Sequence, residues 1–422
     1  MGLHRRVVVP VAALLLTLAA CEDKKPAAAP APEAQAPAPS AKLLFGHIAS
    51  MTGQEATFGD STDKGIKLAI DELNAKGGIK GKQIDLKTYD DQGKPEEAAV
   101  AATRLVTQDK VAVLLGEVAS SRSLAVAPIA EANKVPMISP ASTNPKVTKD
   151  GDKTRPFVFR VCFIDPFQGT VMAKFAKEKG LKKVAILRDV GNAYSVGLAD
   201  FFLNKFKDLG GTIVNDQSYK AGDQDFKAQL TAIKAKAPEG VYVPGYYTDV
   251  ALIARQAREL GIKVPLMGGD GWDSNKLFEI GGQAVEGSYF SNHYSPDDPS
   301  PRIQEFIAKF KARYGSIPDA MAALGYDAAM VAADAAGRAK DSSGEAFAQA
   351  IAETKDFPAV TGVITLDVDH NAVKSAVVLE VKGGKAVYVA TTAPDAPAAA
   401  PAAPAAPAAP AAAKTPASTP AK

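Results

Sequence analysis

Between Lys42 and Met267 the chain repeats one unit, a short β-rich run followed by a stretch apolar at helical spacing, in two successive series. Strands separated by single helices require right-handed crossovers, and therefore parallel sheets covered by helices on both faces. In the first series strands are predicted at 43–49, 84–89, 111–115 and 135–138. The intervening helices are predicted at 64–76, 95–108 and from Ser120 or Ser121 to about Asn133. In the first of them Ile66, Ala69, Ile70 and Leu73 follow the i, i+3, i+4, i+7 pattern of one buried face. Gly77-Gly78 then stops it. The rhythm restarts with helices at 166–179, 195–209, 226–235 and 249–260, alternating with strands at 184–188, 212–219, 240–244 and 264–267. Two α/β series of similar size imply two lobes rather than one overgrown sheet. From Pro301 the texture turns helical (302–314, 319–339, 343–352). Three strand-like runs, 362–366, 376–381 and 386–390, end the folded region as a meander.

The ends of the chain belong to neither series. Arg5 and Arg6 precede a mostly apolar run of twelve, Val7 to Leu18, broken by Pro10 and short of the ~20 residues that span a bilayer. Leu18-Ala19-Ala20-Cys21 resembles a bacterial lipobox, which implies a signal peptide at 1–20 and a lipidated Cys21. Residues 21–41 and 392–422 are mostly Ala and Pro, and such composition buries too little apolar surface to offset ordering entropy. They are expected as a linker and a disordered tail. Removing Arg5 and Arg6 leaves 47 basic residues against 47 acidic, which gives no electrostatic case for nucleic acid. With Cys21 lipidated, Cys162 stands alone in an apolar run and is expected as a buried small hydrophobe.

Catalytic and metal signatures are missing. There is no Gly-rich phosphate loop, no Gly-x-Gly-x-x-Gly and no His-Glu-x-x-His. His47, His293 and His370 are far apart in sequence, so each is expected to be structural and no metal or cofactor is expected. Asp90-Asp91 closes a strand, where neighbours face opposite sides, so it is not read as an acid pair. What remains is small polar residues just beyond strand ends, where open α/β sheets bind ligands. Gly116–Ser121 puts a hydroxyl at a helix N-terminus, suited to a carboxylate. Ser139–Thr143 adds the Ser142 and Thr143 hydroxyls. Gly268–Asp273 supplies an acid in a glycine-rich loop. One anion receptor and one carboxylate suit a zwitterion.

Met51-Thr52-Gly53 with Phe58-Gly59, Asn74 to Gly81, Tyr89-Asp90-Asp91, Pro140 to Thr143 and Gly268 to Gly271 together resemble the branched-chain amino-acid-binding proteins of ABC importers. The likeness runs in order from about Lys42 to Val389. It implies the type I periplasmic binding protein fold, two Rossmann-like α/β lobes with parallel central sheets joined by a three-segment hinge. One lobe would comprise 42–162 and 293–369, the other 163–292 and 370–391. It further implies a non-catalytic, monomeric receptor on the outer side of a membrane, delivering an amino acid to a permease. Carried over by position, the ligand carboxylate falls to Ser120 and Thr143 with backbone from Ala141, and the ammonium to Asp270. Tyr194 and Tyr246 would close over the ligand and Phe58 would line its side chain. Trp272, the only tryptophan, either fills part of the pocket or packs beneath its loop. Asp270 is one methylene shorter than the Glu frequent in the family. Gln92 and Ala119 occupy the region where some relatives carry a disulfide. A sensing receptor, or a binder of amides or urea, is the alternative on the same fold.

Overall fold

The computed structural model describes residues 42–394. The signal segment, Cys21, the linker through Ala41 and the tail beyond Pro394 lie outside the described residues. Strands β1 (Leu43–Ala49), β2 (Ile84–Asp90), β3 (Val113–Leu115), β4 (Met137–Ser139) and β5 (Val158–Arg160) form one all-parallel sheet. Their order is β2-β1-β3-β4-β5. The second sheet contains β6 (Lys183–Asp189), β7 (Thr212–Tyr219), β8 (Gly240–Tyr242), β9 (Leu266–Gly268) and β10 (Tyr289–Asn292), all parallel. A terminal antiparallel pair, β11 (Ala376–Lys382) and β12 (Lys385–Thr392), extends it to the order β12-β11-β10-β9-β8-β6-β7. In each sheet the order reverses beside the first strand, β1 or β6, and it is beyond such a reversal that a crevice opens.

The chain passes between the sheets three times, at 161–164, after Asn292, and between Ile364 and Ala376. The helices Pro301–Tyr314, Ala320–Arg338 and Gly344–Ala352 fall between the last two passages. The Ala320 helix packs along the first helix of the chain, Ala56–Ala75. That contact is close because of Gly65, where a Cβ would sit 1.9 Å from the Ala322 carbonyl oxygen. We expect Gly65→Ala to cost about 2 kcal/mol, typical of overpacking, read as a lower urea midpoint with unchanged slope.

Two expectations need correction. The first helix starts at Ala56, eight residues earlier than its periodicity indicated, and carries Gly59 against the Ser50 backbone, where a Cβ would come within 2.1 Å of the Ser50 oxygen. The closing meander loses its first strand. Gly362–Ile364 instead pairs with Phe357–Ala359 in a separate hairpin, and only the other two runs join the second sheet.

Candidate functional site

The loops that follow the two reversal points face each other across a narrow pocket with only about 10 Å³ of free space. Phe58, Val118, Ser120, Ala141, Tyr194, Tyr246, Asp270, Gly271 and Met321 line it. So tight a space holds no more than about one water, and the walls must part to admit a larger solute. Phe58 sits in the first turns of the Ala56 helix and meets Tyr246 edge-on, ring centroids 5.6 Å apart. Tyr246 precedes the helix Tyr247–Glu259 and stacks on Tyr194, at 5.4 Å and 6°. The aromatic wall therefore runs across both sheets' loops.

Polar groups stand at two places. Ser120 begins the fourteen-residue helix Ser120–Asn133, and its Oγ accepts from the Asn144 N–H at 3.2 Å. A hydroxyl and a helix N-terminus together favour an anion there. Asp270, almost fully buried, has Oδ2 3.0 Å from His293 Nε2, while Oδ1 has no hydrogen-bond partner. An unpartnered carboxylate oxygen in a buried wall calls for a cationic donor. Its main chain is fixed as well: the Asp270 N–H donates to Gln168 Oε1 at 2.8 Å, and the Gly271 N–H to the Tyr194 hydroxyl at 3.2 Å.

Three other predicted residues lie off the wall. Ser142 is a correction, because its Oγ donates to the carbonyls of Glu117 and Val118, each at 2.9 Å, and shapes the loop from behind. Trp272 takes the second of its two readings, since its Nε1–H donates to the Val243 carbonyl at 3.0 Å and its ring covers Gly268, where a Cβ would come within 2.2 Å. Glycine at 268 makes room for the indole, which therefore packs beneath the loop. Thr143 is fully buried with Oγ1 unpartnered, and its carbonyl accepts from the Asp165 N–H at 2.9 Å. Burial, reinforced by the charge of Asp270, pushes the Asp165 carboxyl up to about 8.

Sequence reasoning missed Val118 and Met321 on the wall, and His293, Gln168 and Asp165 behind it. Only chain passages that sequence does not display bring the last three there. Cys162 is fully buried and burial pushes its thiol up to about 12, as suits a small hydrophobe. Among the described residues no group of three His, Cys, Asp or Glu could hold a metal ion, and no helix is long and apolar enough to cross a membrane.

Around the cavity the two sets of loops are bonded to each other. Thr248 Oγ1 donates to the Gln54 carbonyl at 2.8 Å, Thr57 N–H to the Tyr247 hydroxyl at 3.3 Å, and Thr57 Oγ1 meets Ser274 Oγ at 2.9 Å. On another side Asn144 Nδ2 donates to the Ala193 carbonyl at 2.8 Å and the Ala193 N–H to Ser121 Oγ at 2.9 Å. The crevice is shut.

A family model described as periplasmic binding protein matches residues 43–386. The Leu/Ile/Val-binding protein BraC3 of Rhizobium johnstonii is 35% identical over 335 residues, 78% of this chain and 89% of that protein. Among solved structures, the leucine-binding protein LivK of Thermotoga maritima is 45% identical with a TM-score of 0.80, covering 83% of this chain and 99% of LivK. The branched-chain amino-acid transporter substrate-binding protein LivJ of Streptococcus pneumoniae, in complex with isoleucine, is 36% identical with a TM-score of 0.77 over 83% and 99%.

Proposed function

Because this chain belongs to the periplasmic binding protein family, we propose that it captures a small branched-chain or related amino acid from outside the cytoplasm and hands it to an ABC permease. It acts by binding and not by catalysis, as a monomer tethered through lipid on Cys21. Residues 42–162 with 293–369 act as one lobe and 163–292 with 370–391 as the other. The observation that carries the reading is the pairing of opposite polar demands in one narrow pocket between the facing loops. Ser120 at a helix N-terminus receives the carboxylate, Asp270 Oδ1 receives the ammonium, and Phe58, Val118, Tyr194, Tyr246 and Met321 surround the aliphatic part. The backbone of Ala141, on the same wall, and Thr143 support the carboxylate side. The relatives' names, leucine and isoleucine among them, support an aliphatic side chain.

Closure follows from the contacts. A ligand that touches both lobes stabilises the form in which Thr248–Gln54, Thr57–Tyr247 and Asn144–Ala193 are joined. The permease then meets a shut receptor whose two rims are in fixed register. The tests are thermal and calorimetric. Leucine at ~100 times its Kd should add about 2.7 kcal/mol to stability, raising Tm by several degrees, while 4-methylpentanoate, the same skeleton without the ammonium, should add much less. No stabilisation by leucine, isoleucine, valine or any other α-amino acid would refute the reading.

A further inference from the structure

We propose that His293 is a positioning residue for ligand capture, occupying one oxygen of Asp270 so that the other is held toward the ligand ammonium. This rests on the amino-acid reading of the cavity. His293 follows β10 at the start of the second passage between the sheets. Its Nε2 lies 3.0 Å from Asp270 Oδ2. Its ring stacks on Phe163, in the first passage, with centroids 3.7 Å apart at 23°. Its own N–H donates to the Asn292 side chain at 2.8 Å. The imidazole is thus fixed by two of the three connections between sheets.

The protonation state gives this arrangement its meaning. Burial lowers the His293 pKa, against the counter-pull of Asp270, and buried Lys374 on the third passage adds to the pressure. The ring is therefore neutral and carries one proton. Of its nitrogens only Nε2 faces an acceptor, while Nδ1 has no partner among the described residues, so the proton is assigned to Nε2. A neutral donor orients a carboxylate without cancelling its charge. A protonated imidazole would be the counter-ion itself and would compete with the ligand for that role.

Asp270 is then held at both ends. Gln168 Oε1 accepts from the Asp270 N–H at 2.8 Å and from Ser291 Oγ at 2.8 Å, tying the loop to β10. With the main chain held by Gln168 and Oδ2 by His293, the carboxylate cannot rotate, and Oδ1 is left as the acceptor. A short acid carries fewer rotors than a glutamate but reaches less far, so its direction matters more. His293 supplies that direction, and the geometry of the hinge is thereby built into the ammonium pocket.

Two substitutions and two probes test this. His293→Phe keeps the stacking on Phe163 and removes the donor, and His293→Gln keeps an N–H able to reach Asp270 Oδ2. Calorimetry with leucine and 4-methylpentanoate should show leucine affinity reduced about 30-fold in H293F, the scale of one lost buried hydrogen bond to a charged group. The des-amino probe should change less than about threefold, and H293Q should recover most of the leucine affinity. Equal losses for both probes in H293F, or H293Q as weak as H293F, would overturn the inference while leaving the amino-acid reading intact. A wild-type protein that binds the two probes alike overturns that reading, and this inference with it. Should H293F fail to fold, loss of selectivity for leucine in folded H293Q overturns the inference on its own.

Discussion

Asp270→Ala is expected to weaken leucine binding by roughly 3–5 kcal/mol, the cost of leaving one member of a buried ion pair without its partner. That is more than a hundredfold in Kd. The size follows from what else could take the ammonium. The wall offers apolar groups, aromatic rings, the Ala141 backbone and the Ser120 hydroxyl, and no second carboxylate lines it. Asp165, a buried acid behind the wall, is held up to about 8 by burial, so it is largely protonated near neutral pH and cannot substitute as a charge. Asp270→Asn refines the measurement. The amide oxygen can still accept from His293 and the side-chain volume is kept, so folding should be preserved while the charge is gone. Titration calorimetry on both variants is decisive: leucine affinity within threefold of wild type in each would show that Asp270 does not meet the ammonium.

Much of the scaffold was legible because parallel α/β units carry a strong period. β1, β2 and β7 fall within a residue or so of where their apolar runs placed them. The start of the first helix was not, because its apolar period begins only at Ile66 and Gly59 is a poor helix former. Gly59 is required there by the approach of the Ser50 backbone, a tertiary fact. The three passages between sheets were implied by family resemblance and not by residues, and what depends on them was invisible for that reason. His293 looked like an isolated structural histidine, since 22 intervening residues separate it from Asp270 and only β10 brings them together. Of the wall residues, the loops holding Ser120 and Asp270 stood out from strand ends alone, whereas Phe58, Ala141, Tyr194 and Tyr246 came from position in a family pattern. Ser142 was overread and Trp272 left open because a small hydroxyl and an aromatic near a loop look alike whether they face a ligand or support the loop from behind.

Asp90-Asp91 shows how finely a strand end can be divided. Asp90 is half-buried and caps the Met51–Thr52 turn, accepting from Met51 N–H at 2.9 Å and from Gln92 N–H at 2.8 Å. Asp91 is fully buried and joins Ser50, Glu117, Glu55 and Arg122 in one polar cluster. Arg122 Nε donates to Glu117 Oε2 at 2.8 Å and Nη1 to Glu55 Oε2 at 2.9 Å, with Asp91 at 3.9 Å. Glu117 Oε2 also accepts from the Ala119 N–H at 2.6 Å, one residue before Ser120. The cluster knits the ends of β1, β2 and β3 to the helix Ser120–Asn133.

Removing its single cation should therefore be severe. Arg122→Leu is expected to destabilise the protein by about 3–5 kcal/mol at pH 8, because three carboxylates are left without a counter-charge. The effect should shrink in acid, and the sign follows from Asp91. Burial and the neighbouring Glu117 raise its pKa to about 7, with Arg122 pulling the other way. The folded state thus holds a proton that the unfolded chain, titrating near ~3.9, has already released. Between about pH 4 and 7 the native form binds more protons, so stability falls as pH rises and levels off above pH 7. Without Arg122 the downward pull on Asp91 is gone, so in the variant the fall should continue to higher pH, and the deficit relative to wild type should be larger at pH 8 than at pH 5. Urea unfolding at the two pH values measures this directly. A deficit below about 1 kcal/mol, or one equal at both pH values, would mean that the guanidinium contributes as packing and not as the charge that makes a buried acidic loop, and the Ser120 helix it holds, stable.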